Sequence, residues 1–583
     1  MKNLSTLLKE QAYRALYQLL GRSTEPEIFP VAQAELGHYQ CNNALKLAKE
    51  CRKSPKEIAH LIIEAWKKVL LPEEKLMIDR MEIGGAGFVN IFLNPSFLSE
   101  QIMQLLQDLH LGVSLPSRRE RVIVEFSSPN VAKELHVGHL RSTLIGDALA
   151  RLFEFLGHDV LRLNHLGDWG TQFGMLIEYL EEKVPRVLEE KAEVRATSLM
   201  KWYQESKILF DQDQEFKSRA QRQVVQLQRG EPRALLWWKI ICDISRRSFQ
   251  EIYDLLDVQV LERGESSYNP HLPEIVADLE RKNLIILSQG AKCFYLEGFT
   301  GRGGELLPMI VQKSDGGYNY STTDLAALRN RIEEEKGDRI VYVTDTGQSL
   351  HLEMIFRACE KAGYLDPKKV RVDHVSFGLV LGPDGKKFKT RSGKTEKLID
   401  LLLEAIHRAK LLLVDRLLEL SDEELERQAK VLGIDAIKYA DLSSNRIKDY
   451  HFSYEKMLCF KGNTAPFLLY AYVRIQSIKK RLGKEIGVLL NTTFIVLEDP
   501  AEVILALHLR QFGEAIELVL AGLFPHRLAE YLYLLAEKFH QFFHQCHVEG
   551  SPKENSRLLL CEATGRILKQ GLEILGLKTL DQM

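Results

Sequence analysis

The sequence predicts an α/β protein: a parallel-sheet domain, preceded by a small α+β unit and followed by an all-α bundle. Three observations predict it. Val122-Ile-Val-Glu-Phe126 is a compact β-rich run of the kind that fills a parallel sheet. A helical pattern opening near His136 follows it, with Leu140, Leu144, Ala148, Leu152 and Leu156 four apart, and Asp159-Val-Leu-Arg-Leu163 then reads as a second strand. Beyond about residue 430 only helical periodicity remains, as in Leu528, Leu532, Leu535, Phe539 and Phe542.

Composition sets wide bounds. A chain of 583 residues is long enough for three or four domains. Hydrophobic residues make up 45% and charged residues 27%, which suits ordinary cores and speaks against long disorder. Lys and Arg number 78 against 80 Asp and Glu, so the average charge excludes a uniformly basic nucleic-acid binder while leaving room for local patches. The eight cysteines form no C-x-x-C pair, which argues against a zinc ribbon or disulfide framework. The first twenty residues are interrupted by Lys9, Glu10 and Arg14 and read as an amphipathic helix, not a signal peptide. No apolar run reaches the roughly 18 residues of a membrane span. A cytoplasmic protein without a membrane partner is expected, acting as a monomer.

Residues 1–112 form the first unit. Ser54-Pro55-Lys56-Glu57 is a capping box with proline at the first helical position, and the helix it opens aligns Ile58, Leu61, Ile62, Ala65 and Trp66. Phe88-Val-Asn-Ile-Phe-Leu93 follows a glycine-rich turn and reads as a strand. Residues 113–385 then hold the sheet. Strand, helix and strand within some forty residues make a βαβ unit, so a Rossmann-like, doubly wound nucleotide-binding sheet is expected. Gly157 suits the C-terminal cap of its helix. A charged helical insertion is expected around 180–300. Strand signals recur at Ala291-Lys-Cys-Phe-Tyr-Leu296, Arg339-Ile-Val-Tyr-Val343 and His374-Val-Ser-Phe-Gly-Leu-Val-Leu381. Residues 386–430 read as a loop and connecting helices, and 431–583 as the bundle.

Two segments could carry chemistry. His136-Val-Gly-His139 lies where the first sheet strand hands over to its helix. Helix N-termini offer unpaired N–H groups to phosphates, Gly138 lets a ligand approach the backbone, and two imidazoles can donate to developing charge. Two ordinary histidines would fit the same pattern. A metal pair fits less well, because no further ligand follows at zincin spacing. Gly385-Lys-Lys-Phe-Lys-Thr-Arg-Ser-Gly393 places four cations between two glycines, as a polyphosphate loop or as solvated surface.

Together these segments resemble a class I aminoacyl-tRNA synthetase, and the wording of four blocks resembles the arginyl-tRNA synthetases. The blocks are Glu125-Phe-Ser-Ser-Pro-Asn-Val-Ala-Lys-Glu-Leu-His-Val-Gly-His-Leu-Arg-Ser-Thr143, Asn164-His-Leu-Gly-Asp-Trp-Gly-Thr-Gln-Phe-Gly174, Gly316-Gly-Tyr-Asn-Tyr-Ser-Thr-Thr-Asp324 and Gln348-Ser-Leu-His351. The resemblance runs over essentially the whole chain. It implies ATP-dependent activation of L-arginine to an adenylate and transfer to the terminal adenosine of tRNA(Arg), with Mg²⁺ accompanying ATP and no structural metal. It assigns the amino acid to Glu125, Ser128, Asn130, Tyr320, Asp324 and Gln348. Two of these are carboxylates, as a guanidinium or amino group requires. ATP is implied to lie on His136, Gly138 and His139.

One departure stands out. Class I enzymes in general carry Lys-Met-Ser-Lys-Ser in the loop, whereas this chain, from Lys387, reads Lys-Phe-Lys-Thr-Arg, with Thr390 at the second lysine position. Many arginyl enzymes share the gap, and a lysine just before the His-x-Gly-His block is thought to substitute; here that is Lys133. Lys387 and Lys389 remain candidates for catalysis and ATP binding.

The C-terminal bundle resembles the family's anticodon-binding domain through Asp435-Ala-Ile-Lys-Tyr439 and Gly462-Asn-Thr-Ala-Pro-Phe-Leu-Leu-Tyr-Ala-Tyr472. From Lys438 to Lys484 there are ten Lys and Arg against three acids, a local net of +7. Tyr470 and Tyr472 could stack on anticodon bases or belong to the bundle core. His540, His544 and His547 share a helical face without the pairing of a standard metal site. The first unit resembles the family's tRNA-elbow module through Gly37-His-Tyr-Gln-Cys-Asn42 and Gly87-Phe-Val-Asn90, which makes Phe88 and Asn90 candidate tRNA contacts. A different class I ligase or adenylyl transferase is disfavoured by the Glu125, Tyr320, Asp324 and Gln348 set. A non-catalytic tRNA-binding relative is disfavoured by the intact histidines and lysine loop.

Overall fold

A computed structural model describes residues 1–31, 33–187, 194, 196–301, 303–382, 384–386, 397–414 and 420–583. The N-terminal unit is a four-stranded antiparallel sheet in the order Ile28–Pro30, Tyr39–Cys41, Phe88–Leu93, Ile78–Gly84. Helices Leu4–Leu20 and Pro55–Val69 pack beside it. The capping box forms as the sequence predicts, with the Glu57 amide donating to Ser54 Oγ and the Ser54 amide to Glu57 Oε2. Ile58, Ile62, Ala65 and Trp66 are buried, whereas Leu61 sits at the rim.

The central sheet has five parallel strands: β1 (Arg121–Glu125), β2 (Asp159–Leu166), β3 (Leu261–Gly264), β4 (Arg339–Asp345) and β5 (Arg371–Phe377). Their order is β5-β4-β1-β2-β3. The chain therefore winds one way from β1 to β3 and the other way through β4 to β5. Ligands of such sheets sit beyond the carboxyl ends of the strands at this reversal, between β1 and β4. Helices Thr171–Lys183, Ala196–Gln212, Gln214–Gln228 and Pro232–Leu256 form an insertion between β2 and β3, whereas the range expected from the sequence, about 180–300, also takes in β3 of the central sheet. A three-stranded antiparallel sheet, Ile285–Ser288, Ala291–Thr300 and Leu306–Gln312, follows β3.

Three expectations are corrected here. The run from His374 to Leu381 is two strands, because β5 ends at Phe377 and Val380–Leu381 pairs elsewhere. The break falls at Gly378, where a Cβ would lie 2.6 Å from Asp449 Oδ1 and 2.8 Å from the Lys448 backbone. The region after 430 is also not purely helical, since Tyr450–His451 pairs in parallel with Val380–Leu381. The helix that begins the bundle, Asp422–Leu442, starts ahead of residue 431.

Buried polar groups join the parts. Arg141, on the helix Val137–Phe155, is fully buried; its Nη1 donates to Gly378 O at 2.8 Å and Lys448 O at 3.1 Å. Its Nε lies 3.2 Å from Asp441 Oδ2, on the first bundle helix. Arg446 reaches Ser376 O at 2.6 Å on one side and Leu523 O and Gly522 O, both at 3.0 Å, on the other. At the far end, Glu514 of the bundle accepts from the Ser5 amide and the Tyr39 hydroxyl of the N-terminal unit, both at 2.8 Å.

Candidate active site

The site is built on the ends of β1 to β4 and the first turns that follow them. His136 is the N-cap of the helix Val137–Phe155. Its Nδ1 accepts from the Gly138 amide at 3.0 Å, and His139 Nδ1 accepts from the His136 amide at 3.2 Å. This is a capping box built from two imidazoles, whose ring centroids are 4.0 Å apart. Because each Nδ1 is an acceptor, the proton of each neutral ring sits on Nε2. Burial, then the neighbouring His136 and Lys133, push the His139 pKa down to about 3, so it works as a neutral donor. A Cβ on Gly138 would come within 2.9 Å of the His136 ring, so any larger residue there would push that ring from its place. Lys133 is exposed in the loop just before, and its charge is felt at His139.

The loop leaving β1 is tied to the one leaving β2. The Val131 amide donates to Gly167 O and the Gly167 amide to Pro129 O, each at 3.0 Å. The Ser128 amide donates to Asn164 Oδ1 at 2.9 Å. Ser128 Oγ is buried without a protein partner, and Asn130 is exposed at the rim.

The helix Tyr320–Glu333 contributes a stripe of three side chains. Tyr320 is 61% exposed and meets the His351 ring edge-on at 4.8 Å between centroids. Asp324 Oδ2 accepts from His351 Nε2 at 2.6 Å. Arg331 is buried, forms an ion pair with Glu125, and donates to the Tyr342 hydroxyl at 2.6 Å. Burial works against its charge, yet Glu125 and the tyrosines hold its pKa above the ordinary value. Glu125 thus carries a cation of the protein itself, which its place in the sequence does not reveal. Gln348 is exposed at the start of the helix Ser349–Ala362, beyond β4.

Two further residues at this site were not expected from the sequence. His351 orients Asp324, and its only sequence signal is membership of the Gln348-to-His351 block. Glu265 follows β3 directly, and its pKa is pushed up to about 8, first by burial and then by the Asp324 and Asp168 carboxylates. Asp168 is already engaged by the Ser266 amide and hydroxyl at 2.8 and 2.7 Å. Asp324 thus stands close enough to Glu265 to act on its charge, with the Tyr320 ring packed on the His351 that Asp324 accepts from; two such carboxylates suit a planar cation. Lys387 and Lys389 lie outside the described residues.

The tRNA candidates separate. Tyr470 is 38% exposed and its hydroxyl accepts from Arg474 Nη2 at 2.6 Å, with the guanidinium 4.7 Å from the Tyr470 ring. Tyr472 is buried and presents no face to a base, because two residues along a helix turn the side chain through about 200°. Phe88 is half-buried at the start of its strand. Asn90 is buried and accepts from Gln40 Nε2 at 2.8 Å, so its oxygen is engaged within the sheet. Among the described residues no three His, Cys, Asp or Glu side chains gather as a metal site, and no helix is long and apolar enough to cross a membrane.

Comparison with known proteins assigns this arrangement. Residues 101–454 match the family described as tRNA synthetases class I (R), catalytic domain, which makes the sheet and its histidine cap those of a class I aminoacyl-tRNA synthetase. Residues 468–583 match the DALR anticodon binding domain and residues 2–93 the arginyl tRNA synthetase N terminal domain. The chain is 56% identical over 565 residues to an arginine–tRNA ligase of Protochlamydia amoebophila, covering 97% of this chain and 96% of that protein. It is 49% identical to one from Chlamydia abortus, covering 100% and 99%. The crystal structure of arginyl-tRNA synthetase from Plasmodium falciparum superposes with a TM-score of 0.87 at 32% identity, covering all of both chains. The chain belongs to the arginyl-tRNA synthetase family.

Proposed function

We propose that an acidic recess binds the guanidinium of L-arginine between Asp324 and Glu265, and that Ser128, Asn130 and Gln348 hold its amino and carboxylate end. Glu125, locked to Arg331, shapes the floor of that recess. The observation that carries this reading is that two acids close enough to couple, Glu265 and Asp324, stand at the carboxyl end of the sheet whose first strand leads into the His136–His139 cap. The arginine carboxylate attacks the α-phosphate of ATP, forming arginyl-adenylate and releasing pyrophosphate. A hydroxyl of the tRNA terminal adenosine then attacks the adenylate carbonyl, and AMP leaves. No protein nucleophile takes part; positioning and charge stabilisation act through His136, His139 and Lys133. Mg²⁺ accompanies ATP, and Lys387 and Lys389 assist with its phosphates. Residues 1–112 serve the tRNA elbow and 431–583 the anticodon, with Tyr470 and Arg474 as the exposed stacking shelf. The enzyme acts as a cytoplasmic monomer.

ATP–pyrophosphate exchange tests the reading. Exchange is expected with arginine alone among the amino acids, and only when tRNA is present. Exchange with another amino acid but not with arginine would overturn it.

The raised pKa of Glu265 adds a pH dependence. In the empty site below about pH 8 this carboxyl is protonated. A bound guanidinium favours the carboxylate, so binding releases a proton. Arginine affinity therefore rises with pH up to about 8, by at most about tenfold per unit, and then levels off. Arginine KM measured from about pH 6 to 9 should show this slope in the parent enzyme and a flat profile, at higher KM, in Glu265→Gln.

A further inference from the structure

Backbone strain gathers in the loop leaving β1. Ser127, Ser128 and Ala132 have φ of +69°, +45° and +65°. This left-handed region is disfavoured for residues with a Cβ and persists only where the surroundings over-determine it. Most of the other non-glycine residues of positive φ follow helix ends, whereas these three lie in one stretch of six residues.

The surroundings do over-determine it. The Ser127 amide donates to Ser142 Oγ at 3.0 Å, and the Ser128 amide to Asn164 Oδ1 at 2.9 Å. Asn164 Nδ2 donates to the Tyr253 hydroxyl at 3.1 Å, and that hydroxyl lies 2.8 Å from Ser127 Oγ. Since the tyrosine oxygen receives the amide, its own proton is free to go to Ser127, and the ring of hydrogen bonds closes. At the other end of the loop the Ala132 amide donates to Ser245 Oγ at 3.1 Å. Tyr253, Ser245 and Asn164 are 1%, 2% and 0% exposed, so water does not compete for these bonds. Tyr253 and Ser245 stand about two turns apart on one helix, Pro232–Leu256, which belongs to the insertion and not to the nucleotide-binding sheet.

We propose that Tyr253 and Ser245 are positioning residues for arginine activation. The insertion helix is the template that keeps residues 127–132 in their strained shape, with Ser128 and Asn130 turned to the arginine pocket and Lys133 carried beside His139. The inference rests on the arginine-pocket reading above. Without the ring, the backbone relaxes to ordinary φ values and both serine and asparagine leave their places.

The test uses the full-length enzyme with Tyr253→Phe, Ser127→Ala and the double variant. In tRNA-dependent exchange, Tyr253→Phe is expected to raise arginine KM about tenfold and leave ATP KM within about twofold. The double variant should be no worse than the more impaired single variant, since both changes remove the same bond. Equal constants in parent and Tyr253→Phe, or a loss shared alike by arginine and ATP, would overturn the proposal. If Tyr253→Phe does not fold, Ser127→Ala decides by the same split. Amide hydrogen exchange at Ser128 and Ala132 reads the clamp without any substrate: it should quicken about tenfold in Tyr253→Phe, and unchanged exchange counts against it. A parent enzyme without arginine-dependent exchange would sink the pocket reading, while the amide exchange would still decide the clamp.

Discussion

Asp324→Asn is expected to raise arginine KM by about a hundredfold or more while leaving ATP KM and the melting temperature nearly unchanged. Removing one charge from a desolvated hydrogen-bonded pair typically costs about 2–5 kcal/mol, and about 1.4 kcal/mol is a factor of ten. Asparagine keeps the shape of the side chain and can still meet His351, whose Nε2 lies 2.6 Å from the carboxylate. The loss therefore reports the missing charge and not a cavity. Glu265 would remain as the single acid beside the guanidinium; burial still raises its pKa, but without the Asp324 charge it is raised less than in the parent. Steady-state exchange with arginine varied at saturating ATP measures the effect. An arginine KM within about threefold of the parent would remove Asp324 from the pocket.

Lys133→Ala is expected to act on the other side of the reaction. The side chain is exposed in the loop just ahead of the His136–His139 cap, and its charge reaches His139. Charge develops on the α-phosphate and on the departing pyrophosphate only in the transition state. Removing one donor aimed at such charge costs about a hundredfold to a thousandfold in turnover. ATP affinity should change by no more than about threefold, because the ground-state phosphates keep their other contacts. Single-turnover adenylate formation with tRNA present separates the two constants. A loss confined to ATP affinity would assign Lys133 to binding alone.

The parts of the fold and site that were legible in the sequence are those whose logic is local. The His136 cap, the Ser54 capping box and the βαβ unit each depend on residues a few positions apart. Gly378 was passed over because its role depends on the approach of residues 447–449, far along the chain. The same holds for the pocket. Glu125 and Asp324 were legible as acids, but their partners Arg331 and His351 come from elsewhere in the chain, and spacing does not encode such pairs. Glu265 carries no motif; only burial beside two other carboxylates marks it. Tyr470 and Tyr472 could have been separated in advance, since helical period places Arg474, not Tyr472, on the face of Tyr470.

The buried pair of Arg141 and Asp441 bears on how the enzyme is made. Arg141 sits on the helix that His136 caps, while its counter-charge emerges from the ribosome only when the first bundle helix has been synthesised. Until then a guanidinium destined for the interior has no partner, and an unpaired buried charge is strongly destabilising. The nucleotide-binding sheet is therefore an unfinished folding unit when its own last strand is complete. A chain that stops after β5 is expected to leave this guanidinium without its carboxylate, and the helix behind the histidine cap settles only once Asp422–Leu442 has docked.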